Sequence, residues 1–358
     1  MEQPRNFGFG EDETMLRDQA RRFFTDNLPT DRLHGLVADD YEPARENVCK
    51  WDASLWQQVA ELGWTAACVP ERAGGIGMPL VAAVALAEEA GRAAFPSPLT
   101  STLSASFVLD ACETAAADAA LTGITEGQAF TLGLEGDVSG GSEGLSGQLH
   151  FVQDARKADR LVVRAGQSLY VLNLDADGVQ VLPDTIVDLT RDQATVLLDN
   201  VAAVEVGEAE ATIEKAMPGI LSVVSADMVG AGEWLLQTTV EYVTTREQFD
   251  RPLGFFQAIK HPLVNLMIEV DNAKSLAYNA ACAVDTGADD ALTLARMAKA
   301  QASEMAVFSG SRAVQFHGGI GFTWECYVQL YFKRQMHSQV LWGDAEHHRR
   351  VLADTLVG

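Results

Sequence analysis

The stretch TREQFDRPLGFFQAIKH, residues 245–261, separates two long helical patterns and is the most informative part of the sequence. Its Arg246 lies at a helix-to-loop corner, where a guanidinium can pair with two oxygens of a phosphate. The aromatic and glutamine neighbours of this arginine could flank a flat ring. The alternative is a plain helix C-terminus at which Arg246 complements the helix dipole. The residues alone leave both interpretations open.

A second stretch, QFHGGIGF at residues 315–322, ends a third long helical pattern. Glycines allow the backbone to approach a ligand closely, and the amide of Gln315 can both donate and accept hydrogen bonds. Gly318 and Gly319 are therefore candidate ligand-contacting residues. A plain helix cap and turn is the alternative, although three glycines in four positions are more than a cap needs.

The chain from residue 208 to residue 358 is predicted to form a bundle of long helices, because apolar residues recur at helical spacing with few breakers. The predicted helices are Ile220–Thr245, Gln257–Asp285, Asp290–Phe316 and a shorter final one, Ala345–Leu356.

Residues 1–118 are also predicted to be helical. The expected helices there are Glu11–Leu28, Asp52–Leu62 and Leu80–Gly91. Gly91 stands where the glycine of a helix C-cap is expected, and two prolines follow it.

Between these regions, residues 119–207 change to short runs rich in Val, Leu and Tyr, separated by Gly and Asp, which predict a small antiparallel β domain. The predicted strands are Leu161–Arg164, Leu169–Leu174 and Thr195–Leu198, and the Gly/Ser cluster Ser139–Gly144 is expected to be a loop. The predicted fold is therefore α+β, with an N-terminal helical domain, a small middle antiparallel β domain and a C-terminal four-helix bundle.

Composition excludes several classes of function. The formal net charge of −24 argues against binding to nucleic acid or to an anionic membrane surface, since both require clustered Lys and Arg. The polar N-terminus and five scattered cysteines predict a cytoplasmic protein with free, mostly buried thiols. No metal site is expected, because the pair His347–His348 lacks a helical carboxylate–His pattern.

Taken together, these stretches resemble the acyl-CoA dehydrogenase family across nearly the whole chain. REQFDRPLGFFQAIKH resembles the family signature R-x-x-F-G-x-P/L…Q…H, and QFHGGIGFTWE resembles Q-x-H/L-G-G-x-G-F/Y. The N-terminal sequence LWQQVAELGW…VPERAGGIGMPL…LAEEAGR resembles the family pattern more weakly. The resemblance implies FAD as cofactor and oxidation of an acyl-CoA thioester to its 2,3-enoyl form. A carboxylate base removes the α proton in that reaction while hydride leaves for the flavin.

In this family the two C-terminal motifs reach the FAD of a neighbouring subunit. The resemblance therefore implies that Arg246 pairs with the FAD pyrophosphate and that Phe249 and Gln257 lie against the cofactor. It implies that Gln315, Gly318 and Gly319 cover the phosphate and adenosine end.

Three departures from the family pattern concern the chain's own active site. The usual position of the catalytic Glu holds Trp342, and the alternative position on the first long helix holds about Ile220. The β domain has TLGLEGDVSGG in place of the T-E-P…G-S-D flavin loop. It also has LSGQLHFVQDARKAD in place of the W-x-T-N-G flavin segment.

These departures predict a subunit of a heteromeric, α2β2 acyl-CoA dehydrogenase whose partner subunit supplies the base. The expected partners are an acyl-CoA substrate, that second subunit and an electron-transfer flavoprotein as electron acceptor. The alternative is a non-catalytic structural or ligand-binding subunit on the same scaffold. If the chain is catalytic by itself, Asp344 is the candidate base, although an Asp before a final helix is ordinarily an N-cap.

Overall fold

Helices form both ends of the chain and strands form its middle, as predicted. The computed structural model describes residues 4–38 and 49–358. The N-terminal helices are α1 (Glu11–Asn27), α2 (Thr30–Ala38), α3 (Ala53–Glu61), α4 (Leu80–Arg92), α5 (Leu99–Cys112) and α6 (Ala115–Thr125). The three helices predicted in this region are confirmed. Asp52 caps α3, because its side chain accepts hydrogen bonds from the Ser54 and Leu55 N–H groups.

The middle region contains two four-stranded sheets. Its strands are β1 (Phe130–Gly133), β2 (Gly136–Gly141), β3 (Gly144–Gln153), β4 (Arg160–Ala165), β5 (Ser168–Asn173), β6 (Val179–Pro183), β7 (Gln193–Val201) and β8 (Val204–Glu208). One sheet has the order β1-β4-β5-β8 and the other β2-β3-β7-β6. All neighbouring strands in these sheets run antiparallel except β1 and β4, which are parallel.

The first of these sheets is covered on both faces, which explains why its strands are almost continuously apolar. Leu161 and Val163 of β4 face the core shared with the second sheet. Val162, which points to the opposite face, packs into a core with α5, α6 and the first part of α7. The middle region is thereby attached to the helices through one of its two sheets.

The C-terminal region is the predicted helical bundle. Its helices are α7 (Glu210–Thr245), α8 (Gln257–Asp285), α9 (Ala291–His317), α10 (Val328–Ser338) and α11 (Ala345–Val357), and a short hairpin of β9 (Glu247–Gln248) and β10 (Arg251–Pro252) lies between α7 and α8. Helices α7, α8 and α9 pack along one another, and α10 packs on α7 and α9. Among the described residues, α7 alone is long and apolar enough to cross a membrane, but 83% of its apolar window is buried, as in a core helix.

The predicted start of the first bundle helix at Ile220 is wrong. Helix α7 begins at Glu210 and continues through Pro218 and Gly219, two residues that usually end helices. Gly219 is needed because a side chain there would press on the ring of Phe107 in α5. Packing against the N-terminal helices therefore outweighs the local cost of these two residues.

The interpretation of Gly91 as a C-cap is also wrong. Gly91 lies inside α4, and a Cβ at this position would overlap the carbonyl of Asp227 in α7. Reciprocally, a Cβ at Gly230 of α7 would overlap the carbonyl of Glu88 in α4. The two glycines allow the backbones of α4 and α7 to touch, which fixes the N-terminal helices on the bundle.

The predicted loop Ser139–Gly144 is instead the tip of a β-hairpin. Strands β2 and β3 pair through it, with Gly140 opposite Leu145 and Gly141 opposite Gly144. Gly140 has a φ of +119°, which a residue with a side chain rarely adopts. The predicted domain limit at residue 118 lies inside α6, and the division of the chain at residues 118 and 207 stays a prediction.

Candidate functional site

Arg246 is the C-cap residue that follows α7, and it presents an unpaired guanidinium to solvent. Its backbone N–H donates to the Tyr242 carbonyl at 2.8 Å, as the last bond of the helix. Its side chain is exposed and makes no hydrogen bond or ion pair with any residue that the structure describes. Many other arginines in this acidic chain are paired with carboxylates, for example Arg72 with Asp110 and Asp118. Arg246 is therefore available for a ligand outside its own chain.

The hairpin after Arg246 exposes an aromatic side chain in a strained conformation. Phe249 and Asp250, at the tip between β9 and β10, have φ values of +56° and +57°. Non-glycine residues at positive φ are costly and concentrate at functional sites. The Phe249 side chain is 86% exposed. At the beginning of α8, Gln257 is exposed as well.

The end of α9 presents open backbone. Gln315 lies exposed in the last helical turn, and Gly318 follows with a φ of +66°. A Cβ added to Gly318 or Gly319 would meet nothing within 4 Å, so neither glycine is required by packing inside the chain. Gly321 differs, because a Cβ there would press on the Val314 carbonyl. The first two glycines thus leave a surface that a ligand can approach.

The two motifs lie side by side. The imidazole of His317 stacks on the ring of Tyr242, with centroids 4.3 Å apart and planes 23° from parallel. The Tyr242 hydroxyl donates to the His317 carbonyl at 3.4 Å. Beneath them Phe316, Val243 and Leu263 form a small hydrophobic cluster. This contact holds the ends of α7 and α9 together.

A groove of about 360 Å³ runs along this junction. Its lining comes from α7, from the segment after α9 and from the chain leading into α10: Trp234, Thr238, Glu241, Tyr242, Thr245, His317, Ile320 and residues 325–328. Burial lowers the pKa of His317, and its Nδ1 lies 2.8 Å from the Ala313 carbonyl. A carbonyl only accepts hydrogen bonds, so Nδ1 carries the proton and the neutral ring keeps Nε2 as an acceptor.

Exposed apolar side chains surround the two motifs. Phe322 is 72% exposed and Phe255 is 57% exposed, and Ile320 borders the groove. Arg251 and Lys260 lie over the Phe255 ring at 5.4 and 5.8 Å. Exposed aromatic side chains beside unpaired cations are typical of a surface that another molecule covers.

Trp342 and Ile220 lie in one hydrophobic environment. Ile220 of α7 is fully buried, and Trp342 packs against the same cluster from the turn between α10 and α11. Asp344, two residues on, caps α11 by accepting a hydrogen bond from the His347 N–H at 2.9 Å. That hydrogen bond lowers the pKa of Asp344, so its carboxylate is ionised at neutral pH. The observed geometry of Asp344 is that of an N-cap.

In the middle region, residues 145–159 are tied to the chain's own side chains. The Arg156 Nε donates to Asp192 at 2.8 Å, and the buried pair Lys157–Asp154 is 2.9 Å long. Gln153 bonds to His337 of α10 at 3.0 Å. This segment is thus occupied by internal polar contacts.

A second network joins the middle region to the bundle. Asp227 of α7 is fully buried and pairs with Arg191 and Arg334 at 2.9 and 2.6 Å. Burial opposes its ionisation, but the two guanidinium groups outweigh that effect and lower the pKa of Asp227.

The cysteines and histidines do not form a further site. Cys282 is buried, but the other four cysteines are only partly buried, so the prediction of mostly buried thiols is wrong. Burial raises the pKa of Cys49 and Cys112 to about 11, which keeps both thiols protonated. In the described parts of the chain, no three His, Cys, Asp or Glu side chains are arranged to hold a metal ion.

The chain has clear relatives among known proteins. A sequence model of the acyl-CoA dehydrogenase N-terminal domain matches residues 10–128, and one of the C-terminal domain matches residues 222–357. Acyl-CoA dehydrogenase IpdE2 of Mycobacterium tuberculosis is 34% identical over 90% of this chain and 91% of its own. IpdE2 of Mycolicibacterium smegmatis is 32% identical over 87% of this chain and 91% of its own.

The chain belongs to the acyl-CoA dehydrogenase family. Its members are FAD-dependent oxidoreductases, which confirms the family and the cofactor predicted from the sequence. The Tcur3481-Tcur3483 steroid ACAD superposes with a TM-score of 0.87 at 29% identity, covering 98% of both chains. The ChsE4-ChsE5 complex of Mycobacterium tuberculosis superposes at 0.86 over 98% of this chain and 99% of its own, and its 23% identity shows the fold alone.

In this acyl-CoA dehydrogenase chain, the exposed surface around Arg246 and Gly318 suits FAD, whereas the segment formed by residues 145–159 does not. The unpaired guanidinium of Arg246 suits a phosphate of FAD, and the open backbone at Gly318 and Gly319 allows a ligand to approach closely. Residues 145–159 stand in place of a flavin-binding segment of the family. In this segment Arg156 and Lys157 form ion pairs with carboxylates of the chain itself.

Two residues of this surface, Tyr242 and His317, cannot be identified as important from the sequence motifs alone. Tyr242 lies four residues before Arg246, so helical spacing places both on one face of α7. His317 alone is weak evidence for a site, and only its contact with Tyr242 shows that it joins the motifs.

Proposed function

We propose that this chain is one subunit of a heteromeric, α2β2 acyl-CoA dehydrogenase and that it completes the FAD site of its partner. The observation that carries the proposal is a contrast between two regions. Arg246 and Gly318 are exposed and unused within the chain, and Phe249 is exposed beside the ring of Phe256. Ile220 and Trp342, by contrast, fill both positions of the family's base.

Each residue of the exposed surface has a defined part in this proposal. Arg246 pairs with the FAD pyrophosphate, and Gln315, Gly318 and Gly319 cover its phosphate and adenosine end. Phe249 and Gln257 lie against the cofactor and shield it from water. Bound FAD supplies the hydride acceptor for oxidation of the acyl-CoA to the 2,3-enoyl-CoA.

The proton chemistry is assigned to the partner subunit. A base must come within hydrogen-bond reach of the substrate's α proton, and neither an indole nor a butyl side chain can accept that proton. Asp344 is engaged as a helix cap, so we do not assign it the role of base.

The substrate, electron acceptor and location belong to the same proposal. The name of the similar steroid ACAD supports a steroid-derived or other bulky acyl-CoA as substrate. We further propose an electron-transfer flavoprotein as the acceptor of the electrons and the cytoplasm as the location.

The test is to co-express this chain with its second subunit and to assay acyl-CoA oxidation by the purified complex. Replacing the partner's catalytic carboxylate by its amide is expected to abolish turnover, whereas Asp344→Asn in this chain leaves turnover unchanged. Full turnover by this chain without a partner would overturn the proposal.

A second candidate is a structural or ligand-binding subunit with no part in the FAD site, favoured by the absence of a carboxylate at both base positions. The discriminating result is the effect of Arg246→Ala on FAD bound by the complex. The second candidate predicts unchanged FAD content, and the first predicts its loss.

A further inference from the structure

The groove at the junction of α7, α9 and α10 carries negative charge that the chain does not neutralise. Glu241 and Glu325 both line it, and both side chains are exposed. Among the described residues that line the groove, none is Lys or Arg. Within residues 4–38 and 49–358, neither carboxylate forms an ion pair, although Glu241 accepts a hydrogen bond from the Gln237 amide at 3.2 Å. The groove therefore attracts a cation from outside the chain.

A buried nitrogen atom adds a third acceptor to these carboxylates. His317 lines the groove and is only 6% exposed, and its Nδ1 donates to the Ala313 carbonyl at 2.8 Å. Burial lowers the pKa of His317, so the ring is neutral at neutral pH and Nε2 is an acceptor. In the described parts of the chain, Nε2 has no hydrogen-bond partner. A ligand in the groove can therefore donate to it.

Two hydroxyl groups of the groove are already used as donors. Tyr242 donates to the His317 carbonyl at 3.4 Å, and Tyr327 donates to the Asp31 carboxylate at 2.6 Å. The groups left for a ligand are mainly acceptors. The ligand that fits this arrangement is a cation with several N–H donors.

Aromatic side chains form much of the remaining lining, namely Trp234, Tyr242 and Tyr327. Trp234 is held in place by stacking on Tyr331, with centroids 3.7 Å apart and planes 6° from parallel. A guanidinium is planar, carries several N–H donors and stacks on aromatic rings, whereas an ammonium is a compact and strongly hydrated charge. The combination of carboxylates, a neutral imidazole and aromatic rings thus suits arginine better than lysine.

We propose that this groove receives an arginine side chain of the second subunit. The guanidinium is held by the carboxylates of Glu241 and Glu325, by Nε2 of His317 and by the aromatic lining. This inference rests on the proposed function for the identity of the partner. It goes further, because it assigns a protein–protein contact beside the cofactor surface and the type of side chain that makes it.

The FAD of the proposed shared site fits the groove less well. Its pyrophosphate is repelled by the two carboxylates. Its adenine is uncharged and offers one amino group as a donor, so both carboxylates would stay without a charged partner. Thr245 lines the groove and directly precedes Arg246, so an acidic groove lies beside the proposed phosphate contact.

The first test measures assembly with the second subunit. Glu241→Gln combined with Glu325→Gln removes both charges and keeps side chains of the same size. This double variant is expected to bind the second subunit about tenfold more weakly, as for loss of an arginine anchor at an interface. Analytical ultracentrifugation provides the measurement.

The matched control is Glu143→Gln combined with Glu205→Gln, at two exposed residues of the middle region. It changes the net charge by the same amount, so it separates the groove from the general effect of charge. Both double variants should keep the thermal midpoint of the wild type, because all four side chains are exposed. Equal affinities of the two double variants for the second subunit would overturn the proposal.

The second test uses the isolated chain and small ligands, followed by saturation-transfer NMR. Millimolar ethylguanidinium is expected to bind the wild type and to lose its binding when Glu241 and Glu325 are replaced by Gln. Thr238→Trp keeps both carboxylates but fills the groove, so it should also abolish binding. Val240→Trp, at an exposed position of the same helix outside the groove, is the control. Binding that persists in the groove variants, or no binding to the wild type, would refute the site.

Two further ligands test the chemistry of the groove. Propylammonium has the same charge without the planar group, so it is expected to bind more weakly than ethylguanidinium. Adenosine is expected not to displace ethylguanidinium. Equal binding of the two cations would overturn the preference for arginine, and displacement by adenosine would assign the groove to a nucleotide instead.

The two proposals fail in different ways. FAD binding and turnover by the isolated chain would refute the proposed function and leave guanidinium binding by the groove untouched. A yellow complex that assembles equally well with the Glu241 and Glu325 variants would refute the arginine contact and leave the shared FAD site untouched.

Discussion

The imidazole of His317 stacks on the phenol ring of Tyr242 with a centroid distance of 4.3 Å, and this contact joins the ends of α7 and α9. The two residues are 75 positions apart in the sequence. Arg246 follows the first ring by four residues and Gly318 follows the second directly, so the stack joins the two helix ends that carry the proposed contacts with the FAD pyrophosphate. The site is thus a product of tertiary packing between two helix ends.

Arg246→Ala in the complex with the second subunit is expected to weaken FAD retention by about 10- to 100-fold, since a charge-assisted pair contributes roughly 1.5–3 kcal/mol. FAD released on dilution or gel filtration measures the effect. Arg72→Ala is the control, because Arg72 is already paired with Asp110 and Asp118 within the chain. Equal FAD content in both variants would contradict the role of Arg246.

Phe249→Ser should weaken association with the partner subunit on the order of tenfold, as expected for loss of an aromatic anchor at an interface. The isolated variant should keep its thermal stability, because the Phe249 side chain is 86% exposed. Phe151→Ser is the matched control, since Phe151 is an exposed aromatic of the middle region with a φ of +57°. Analytical ultracentrifugation compares the two complexes. A stronger effect of Phe151→Ser would contradict this prediction and would indicate that the partner binds the β-sheets of the middle region.

Asp344→Asn is expected to leave both stability and turnover unchanged, because asparagine can still accept the hydrogen bond from the His347 N–H. Asp344→Ala should lose about 1 kcal/mol of unfolding free energy, the usual contribution of an N-cap. Urea denaturation and steady-state assay of the complex test both statements. A drop in turnover of orders of magnitude in the Asn variant would restore Asp344 as the base.

Unfolding free energy should depend on pH through His337. Burial lowers the pKa of His337 to about 4, below its unfolded value, so the unfolded chain binds more protons between pH 4 and pH 6.5. Stability from this residue is therefore complete above pH 6.5 and is lost as pH falls toward 4. His337→Gln retains a donor toward Gln153 and removes the titration.

Between pH 7 and pH 5 the wild type should lose on the order of 2 kcal/mol more stability than His337→Gln. Urea titrations at the two pH values provide the measurement, with the exposed His150→Gln as control. Parallel losses in wild type and His337→Gln would show that His337 is not held neutral by burial.

Much of the fold is predictable from sequence where local pattern and tertiary packing agree. Helix α8 has the predicted limits, and α9 differs by one residue at each end. The predictions fail where a contact distant in sequence determines the structure. The sequence suggests that Gly91 is a helix cap, but its role is the close contact between α4 and α7. It also suggests that Pro218 ends a helix, but α7 continues through Pro218, and Phe107 packs on the adjacent Gly219.

The residues of the candidate site also fall into those that sequence motifs predict and those that only tertiary contacts reveal. Arg246, Gln315 and Gly318 belong to recognisable motifs, and all three are exposed as a ligand-binding role requires. Tyr242 and Glu241 belong to no motif, because their importance arises from the contact with His317 and from the groove that they line.

The flavin content of the purified complex tests the central claim most directly. The chain is co-expressed with its second subunit, and FAD is quantified by absorbance after denaturation, against the amount of each polypeptide. A shared site predicts a yellow complex with about one FAD for every two chains, and no FAD on this chain alone. One FAD for each chain, or an isolated chain that binds FAD and oxidises acyl-CoA, would contradict the account.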